Sequence, residues 1–139
     1  MFRIFYTSCL ALMAVAGLAA QPAYAETPSE VLAALQKDAS ATPGFNGFSG
    51  SRGEQFFKTR HGNEWNCSSC HTDNPAALGK HAKTGKAIEP LAPSANAERF
   101  TNPKKVEKWF KRNCNDVLGR ACTAQEKGDV LAYLLSVKK

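Results

Sequence analysis

Helical periodicity marks the N-terminal part of the chain in two places. Thr27–Glu30 form a capping box with proline at the first helical position, and an amphipathic run from Val31 to Lys37 follows. After a loop rich in glycine and serine, Ser49 or Ser51 is placed to cap another helix. The pattern therefore predicts a short first helix and a second helix over about residues 52–60, whose two adjacent phenylalanines turn toward a core.

Two further helices are predicted in the C-terminal part. Asn102 and Pro103 are typical of an N-cap and first helical position, and Val106, Trp109 and Phe110 follow at helical spacing. Another capping box, Thr123–Glu126, opens the last helix. The buried side of that helix is formed by apolar residues at helical spacing: Val130, Leu131, Leu134, Leu135 and Val137.

The segment between these two pairs of helices has little periodicity. Residues 74–101 hold three prolines and two glycines, which favours a long loop. Long ordered loops in small domains are commonly functional. No strand-like alternation and no repeat stands out. The sequence therefore predicts a small, all-α domain.

The first 25 residues are typical of a signal peptide. Arg3 precedes an almost entirely apolar run from Ile4 to Ala20, and Ala23-Tyr24-Ala25 gives the small-x-small pattern of a cleavage site. The apolar run is short for a spanning helix and Pro22 interrupts it, so an uncleaved membrane anchor is the less favoured alternative. We expect cleavage after Ala25, export to the periplasm and no stable membrane insertion afterwards.

The net charge adds only a little to the functional prediction. Of the formal charge of +6, Arg3 is the only contribution from the first 25 residues, which leaves +5 on residues 26–139. Lysines cluster on the third predicted helix and in the preceding loop: Lys104, Lys105, Lys108 and Lys111 with Arg112, and Lys80, Lys83 and Lys86. Such a run is usually a solvated face, but it also steers acidic partners. No phosphate-binding loop or arginine-rich tract points to nucleic acid.

The cysteines carry the most specific chemistry. Without Cys9, four remain, and two of them stand in the motif Cys67-Ser68-Ser69-Cys70-His71. This spacing places two thiols one turn apart, as covalent attachment to two vinyl groups of one haem requires, and the next residue projects an imidazole at the iron. In an oxidising compartment, the unclaimed pair Cys114 and Cys122 is interpreted as a disulfide.

The motif has two other interpretations. A thioredoxin-like redox pair needs a βαβ setting, which is absent from the pattern, and structural zinc needs a second ligand pair with compatible spacing. The motif behind a signal peptide instead predicts one covalent haem c, with Cys67 and Cys70 as thioethers and His71 as the proximal iron ligand.

The second axial ligand is less clear from the residues alone. Methionine, the usual partner of histidine, occurs only at positions 1 and 13, so cleavage would remove both. His61 and His81 lie ten residues before and ten residues after His71, and either one is able to cross the haem. Their polar neighbours favour two solvated surface histidines. The region before the last helix, around Arg112–Asn115, has no strong iron ligand and offers only asparagines and lysines.

The sequence resembles class I cytochromes c and, more narrowly, the SHP family of oxygen-binding monohaem cytochromes. Gly53–Phe57 before the haem motif and Asp129 with Tyr133-Leu134 in the last helix carry the first resemblance. The second rests on these joined motifs: Thr84–Lys86, Pro90–Ala95, Arg99–Thr101, Val106–Trp109, Arg112–Asn115, Gly119–Arg120, Cys122–Thr123 and Glu126–Lys127. The match runs from about residue 50 to residue 139. Residues 26–139 are therefore expected to form one cytochrome c domain, with residues 26–50 as an N-terminal extension.

This resemblance implies that the side-chain amide of Asn113 is the distal iron ligand in the oxidised protein. It also implies the disulfide directly after that asparagine, Cys114–Cys122. A neutral carboxamide is a weak ligand, so reduction should release it and leave a position for O₂, NO or CO. Asn113, once displaced, or Asn115 would then be a candidate hydrogen-bond donor to the gas.

The function expected from these features is electron transfer coupled to binding of O₂ or NO. The resemblance implies a dihaem c-type cytochrome as electron donor, and we expect that partner to have an acidic surface. Whether the protein turns over as an enzyme stays open. The alternative is a plain electron-transfer cytochrome c whose haem is six-coordinate, for example through two histidines, and binds no gas.

Overall fold

The computed structural model describes residues 25–139, so the predicted signal peptide lies outside the described residues except for Ala25. Five helices and two short strands follow in chain order: α1 Pro28–Ala39, α2 Gly50–Lys58, α3 Ser68–His71, β1 Gly79–Lys80, β2 Ala87–Ile88, α4 Pro103–Leu118 and α5 Ala124–Ser136. The prediction of a mostly helical domain is confirmed. Across residues 25–139, no helix has the length and apolarity that crossing a bilayer requires.

The helices begin where their capping residues predicted. Thr27 and Thr123 both form complete capping boxes, and Asn102 caps α4 by accepting a hydrogen bond from the amide of Lys105. Ser49, rather than Ser51, caps α2, so this helix begins and ends about two residues earlier than the pattern indicated.

The long loop contains a small hairpin that the sequence did not predict. β1 and β2 pair antiparallel, with Gly79 opposite Ile88 and Lys80 opposite Ala87. Each strand has only two residues, which is too short for an alternating pattern to be visible in the sequence.

α5 lies at the centre of the core. Its Val130, Tyr133 and Leu134 pack with Phe57 of α2, while Leu131 packs with residues of α1 and α4. Two half-buried phenylalanines, from α4 and from the loop before it, contact both clusters. Trp109, although it follows the helical spacing of apolar residues in α4, does not belong to the core, since its side chain is 50% exposed.

A close crossing of α2 and α5 fixes their geometry. A Cβ on Gly53 would lie 1.9 Å from the carbonyl oxygen of Asp129, so only glycine permits this contact. The buried carboxylate of Asp129 accepts hydrogen bonds from the amide of Ser49 (2.6 Å) and from the side chains of Arg52 and Gln125. The start of α2 is therefore bound to α5 by polar contacts beside an apolar crossing.

Candidate haem site

The predicted attachment residues lie together on a single helical turn. Cys67 is the N-cap residue of α3, and its carbonyl accepts a hydrogen bond from the amide of His71 (3.1 Å). Cys67 and Cys70 are free, partly buried cysteines. The ring of His71 lies 6.3 Å from that of Phe57, so the turn is set against the α2–α5 core.

Asn66 organises this turn, a role that the sequence analysis missed. Its Oδ1 accepts hydrogen bonds from the amide of Ser69 (2.8 Å) and from the hydroxyls of Ser68 and Ser69. Its Nδ2 donates to the carbonyl of Lys58, the last residue of α2 (2.5 Å). The available signal was an asparagine three residues before a polar residue at a helix start, which is the spacing of an N-cap bond.

Burial sets the protonation of the two buried groups. Desolvation, assisted by the positive charge of Arg99, lowers the pKa of His71 to about 4. Desolvation likewise raises the pKa of the Cys67 thiol to about 11. At neutral pH the imidazole is therefore uncharged, which is the form that binds a metal.

Arg99 anchors the loop that flanks the turn. Its guanidinium donates to the carbonyls of Pro90 (2.9 Å) and Glu89 (2.7 Å), and Phe100 beside it has a left-handed backbone, with φ 60°. The next part of the loop donates two backbone hydrogen bonds to the carbonyl of buried Pro75, four residues after His71. In residues 25–139, no carboxylate forms an ion pair with Arg99.

Asn113 lies on α4 and is exposed. Trp109 is one helical turn before it and therefore shares its face of the helix. The neighbouring Cys114 is buried and joined to Cys122 by a disulfide, with their Cα atoms 5.5 Å apart. In the part of the chain that the structure describes, the side chain of Asn113 forms no hydrogen bond, so its amide is available to a ligand.

Further contacts hold α4 to α5. Lys127 forms an ion pair with Glu107 (2.7 Å), and Arg120 in the connecting loop donates twice to Glu126 (2.6 and 2.8 Å). The disulfide and the Arg120–Glu126 contact hold the end of α4 that carries Asn113, whereas the Lys127–Glu107 pair lies near the start of this helix.

The other two histidines are structural rather than solvated, which corrects the prediction for them. The Nε2 of His61 lies 2.8 Å from the carbonyl oxygen of Phe56, and the two rings are 4.2 Å apart. The Nδ1 of His81 accepts hydrogen bonds from the amides of Lys83 and Thr84 (3.2 and 3.3 Å). Each ring therefore has one nitrogen engaged locally.

Asn115 lies inside α4, where its carbonyl accepts a hydrogen bond from the amide of Gly119. It is two positions after Asn113, so the two side chains leave the helix on different faces. Asn115 lines a shallow groove of about 370 Å³ whose other walls are Lys108, Lys111, Arg112 and Ala121. This placement argues against Asn115 as a second donor beside Asn113.

These residues fit a covalently bound haem. Cys67, Cys70 and His71 would supply the thioethers and one axial ligand. Leu78 and Trp109 are the large hydrophobic side chains left exposed by the described residues, and haem would give them an apolar partner. The unused guanidinium donors of Arg99 suit a propionate. Residues 25–139 contain no cluster of three or more His, Cys, Asp or Glu side chains arranged to hold a metal ion.

Comparison with known proteins gives the same result. Residues 43–134 match the family described as domain of unknown function DUF1924. The chain is 48% identical over 104 residues to cytochrome c'' of Methylophilus methylotrophus, which covers 72% of each protein. It is 53% identical over 68 residues to the cytochrome c-type protein SHP of Cereibacter sphaeroides, which covers 49% of this chain and 52% of SHP.

The solved structures of the same two proteins are similar in fold. Oxidised cytochrome c'' matches 81% of this chain and 95% of its own with a TM-score of 0.70 at 43% identity. Oxidised SHP, described as an oxygen-binding cytochrome c, matches 78% of this chain and 96% of its own with a TM-score of 0.68 at 39% identity. The predicted small helical cytochrome c-like fold is confirmed. The chain therefore belongs to the DUF1924 family, is related to cytochrome c'' and SHP, and is a c-type cytochrome with one covalently bound haem c.

Proposed function

We propose that this chain is a periplasmic electron-transfer cytochrome that binds O₂ or NO, and that Asn113 controls access to its iron. Cys67 and Cys70 form the two thioethers and His71 is the permanent axial ligand. Asn113 is the second axial ligand in the oxidised protein and leaves on reduction. The observation that carries this proposal is the free carboxamide of Asn113 on α4, directly beside the Cys114–Cys122 disulfide that anchors this helix.

The relatives support both parts of the proposal. SHP is described as an oxygen-binding cytochrome c. The solution structure of cytochrome c'' was described as giving insight into the structural basis of haem-ligand detachment; it matches 81% of this chain at 43% identity. Both themes agree with a ligand that is held in one redox state and released in the other.

The side chain of Asn113 suits this role chemically. When bound, the haem supplies a redox-active iron with an axial position opposite His71. A carboxamide oxygen is a neutral, hard donor, so it holds the more charged ferric iron better than the ferrous iron. Once displaced, the same side chain retains an amide N–H₂ that is able to donate a hydrogen bond beside the vacated position.

The anchoring of α4 determines how Asn113 moves. The helix is held to α5 by the disulfide of Cys114 and by the ion pairs Glu107–Lys127 and Arg120–Glu126. A change in the side-chain rotamer of Asn113 therefore costs less free energy than a movement of the helix. We therefore propose that release is a local rotation of Asn113 and not an unwinding of α4.

We further propose a redox partner with an acidic surface, namely a dihaem c-type cytochrome. The formal charge of residues 26–139, +5, favours association with such a surface at low ionic strength.

Ferrous CO binding tests the proposed function. The purified holoprotein is reduced and mixed with CO while its absorption spectrum is recorded. Rapid CO binding to a high-spin ferrous haem is expected. A low-spin ferrous spectrum that CO does not perturb would instead identify the alternative, a plain six-coordinate electron carrier.

Replacing Asn113 tests the ligand itself. Asn113→Val should remove the low-spin ferric spectrum and retain covalently attached haem, because valine has no donor atom. His61→Ala and His81→Ala serve as matched controls and should leave the ferric spectrum unchanged. Loss of the low-spin ferric form in either histidine variant would assign the ligand to that histidine.

A further inference from the structure

The β1–β2 hairpin is in direct contact with the attachment turn. The amide of Ala82 lies 3.4 Å from the Sγ of Cys70 and donates a hydrogen bond to it. Gly79 approaches the same residue so closely that a Cβ there would lie 2.3 Å from the Cys70 carbonyl oxygen. No side chain separates the hairpin from Cys70, so the tip of the hairpin lies beside one thioether edge of the haem under the proposed attachment.

The hairpin is also internally well fixed. The amide of His81 donates to the carbonyl of Lys86 (2.8 Å), and the amide of Gly85 donates to the carbonyl of His81 (2.9 Å). The ring of His81 caps the turn by accepting two further amides. Gly85 has φ +69°, a conformation that glycine adopts without strain. A hairpin built this way fixes the backbone positions from which its lysine side chains extend.

The exposed charges of the hairpin are all positive. Lys80, Lys83 and Lys86 are exposed, and residues 74–88 contain no aspartate or glutamate. Within residues 25–139, none of the three lysines forms an ion pair, and Lys83 lies over the ring of Trp65, 4.7 Å from its centroid. The hairpin therefore presents three uncompensated ammonium groups at the haem edge.

We propose that the hairpin, residues 79–88, is the surface on which an acidic redox protein docks to deliver the electron. This inference rests on the proposed haem attachment and adds where the electron enters. Electron transfer weakens steeply with distance, so a partner gains most by docking against the haem edge itself. Fixed positive charges at that edge steer a negatively charged partner to it.

The cationic groove on α4 is the competing surface. Lys108, Lys111 and Arg112 line it, but no contact in the described residues joins it to Cys70. It therefore offers steering charge without a contact to the attachment turn, and three lysines of α4 supply a control of equal charge.

The test compares two triple charge reversals in the holoprotein. One variant carries Lys80→Glu, Lys83→Glu and Lys86→Glu, and its matched control carries Lys104→Glu, Lys108→Glu and Lys111→Glu. The rate of reduction by a flavodoxin with a strongly acidic surface is measured by stopped flow over a range of ionic strength. Hydroquinone, an uncharged reductant, reports on the haem without docking.

We expect the hairpin variant to lose at least about tenfold in second-order rate at low ionic strength and most of its salt dependence. The α4 variant should lose less than about threefold, and both should react normally with hydroquinone. A larger loss in the α4 variant, or equal losses in the two, would overturn the proposal.

A third variant separates docking from folding. Lys80→Gln, Lys83→Gln and Lys86→Gln together remove charge without adding repulsion and should give an intermediate loss of rate. CO binding to each reduced variant tests the proposed gas site independently. Normal CO binding together with an unchanged rate of reduction by flavodoxin in the hairpin variants would refute only the proposal that the hairpin is the docking surface. Failure of CO binding in the unmodified protein would refute the proposed function.

Discussion

At the scale of single residues, close backbone contacts decide which positions tolerate a side chain. Gly53 lies where α2 crosses α5, and the space that a Cβ would need is occupied by the carbonyl of Asp129. Backbone cannot move aside as a flexible side chain can, so the helices would have to separate. Gly50, three residues earlier in the same helix, has only ordinary contacts of 3.7 Å at the corresponding position.

Gly53→Ala should therefore lower the free energy of unfolding of the holoprotein by about 2 kcal/mol or more, because overpacking at a backbone contact forces the helices apart. The measurement is urea unfolding followed by circular dichroism. Gly50→Ala is the matched control and should be neutral or stabilising by about 0.5 kcal/mol. Equal stabilities for the two variants would contradict the close crossing.

Asn66 is the second position at which one side chain decides the site. Because its carboxamide joins the attachment turn to the end of α2, Asn66→Ala should loosen α3 and reduce the yield of haem-loaded protein severalfold. Asn66→Asp keeps the accepting oxygen and should recover part of that yield. Covalent haem per polypeptide, measured by the pyridine haemochrome spectrum, distinguishes the variants.

At the scale of elements, the junction of α4 and α5 holds the proposed ligand in place. The disulfide closes a loop of nine residues directly after Asn113, and the connecting segment is fixed by the contact between Arg120 and Glu126. Loop-closure entropy predicts about 2.6 kcal/mol of stabilisation from this bridge. Because the bridge directly follows Asn113, we expect it also to restrict the movement of this proposed iron ligand.

The double variant Cys114→Ala, Cys122→Ala should lose about 2.6 kcal/mol of stability in urea unfolding. It should also show a smaller low-spin fraction in the ferric spectrum, because the end of α4 that carries Asn113 is less constrained. Glu107→Gln removes another contact between α4 and α5 and should leave that spectrum unchanged. An unaltered ferric spectrum in the double variant would limit the bridge to a stabilising role.

The same junction makes stability depend on pH. Hydrogen bonds from Arg120 and Thr123 hold the pKa of Glu126 below the usual value of 4.5, and they outweigh the effect of desolvation. A carboxyl whose folded pKa is lowered stabilises the fold above its unfolded pKa and loses that contribution as the pH falls. The midpoint of urea unfolding should therefore decline below about pH 4.5, and Glu126→Gln should flatten this decline. Glu98→Gln, at an exposed carboxylate without an ion pair in residues 25–139, should not.

At the scale of the whole molecule, the chain is divided between a packed helical part and a less packed part that contains the haem attachment motif. α5 packs closely with α1 and α2, and the buried apolar clusters lie along these contacts. α3, the hairpin and the loop to α4 have only a few fully buried side chains, and Leu78 in this part is exposed, as is Trp109 of α4. We therefore expect haem to complete the second part by supplying an apolar partner.

Removing the haem should accordingly destabilise the molecule unevenly. In Cys67→Ala, Cys70→Ala, we expect a melting temperature lower by at least about 10 °C than that of the holoprotein. Amides of α3 and the hairpin should exchange with solvent fastest in this variant, while those of α5 stay protected. Asn113→Val retains haem and serves as the control. Uniform loss of protection along the chain would contradict a division into two parts.

The sequence by itself determined the features that depend on near neighbours. Capping boxes at Thr27 and Thr123, the cap at Asn102 and the spacing of the haem motif all act within four residues, so they are readable without a fold. The same locality explains why the helical class was predictable. The motif's spacing was also enough to predict one covalent haem c, which the family membership bears out.

The tertiary structure decided what depends on residues far apart in the chain. The side chain of Asn66 donates a hydrogen bond to the end of α2, and the hairpin contacts Cys70. His61 and His81 each form a hydrogen bond to nearby backbone. No local pattern encodes these contacts, since they arise only once the helices have packed. The exposure of Trp109 is another such feature. Hydrophobic spacing alone placed Trp109 with the apolar residues of α4, whereas the packing of the helices leaves both Trp109 and Asn113 on an exposed face.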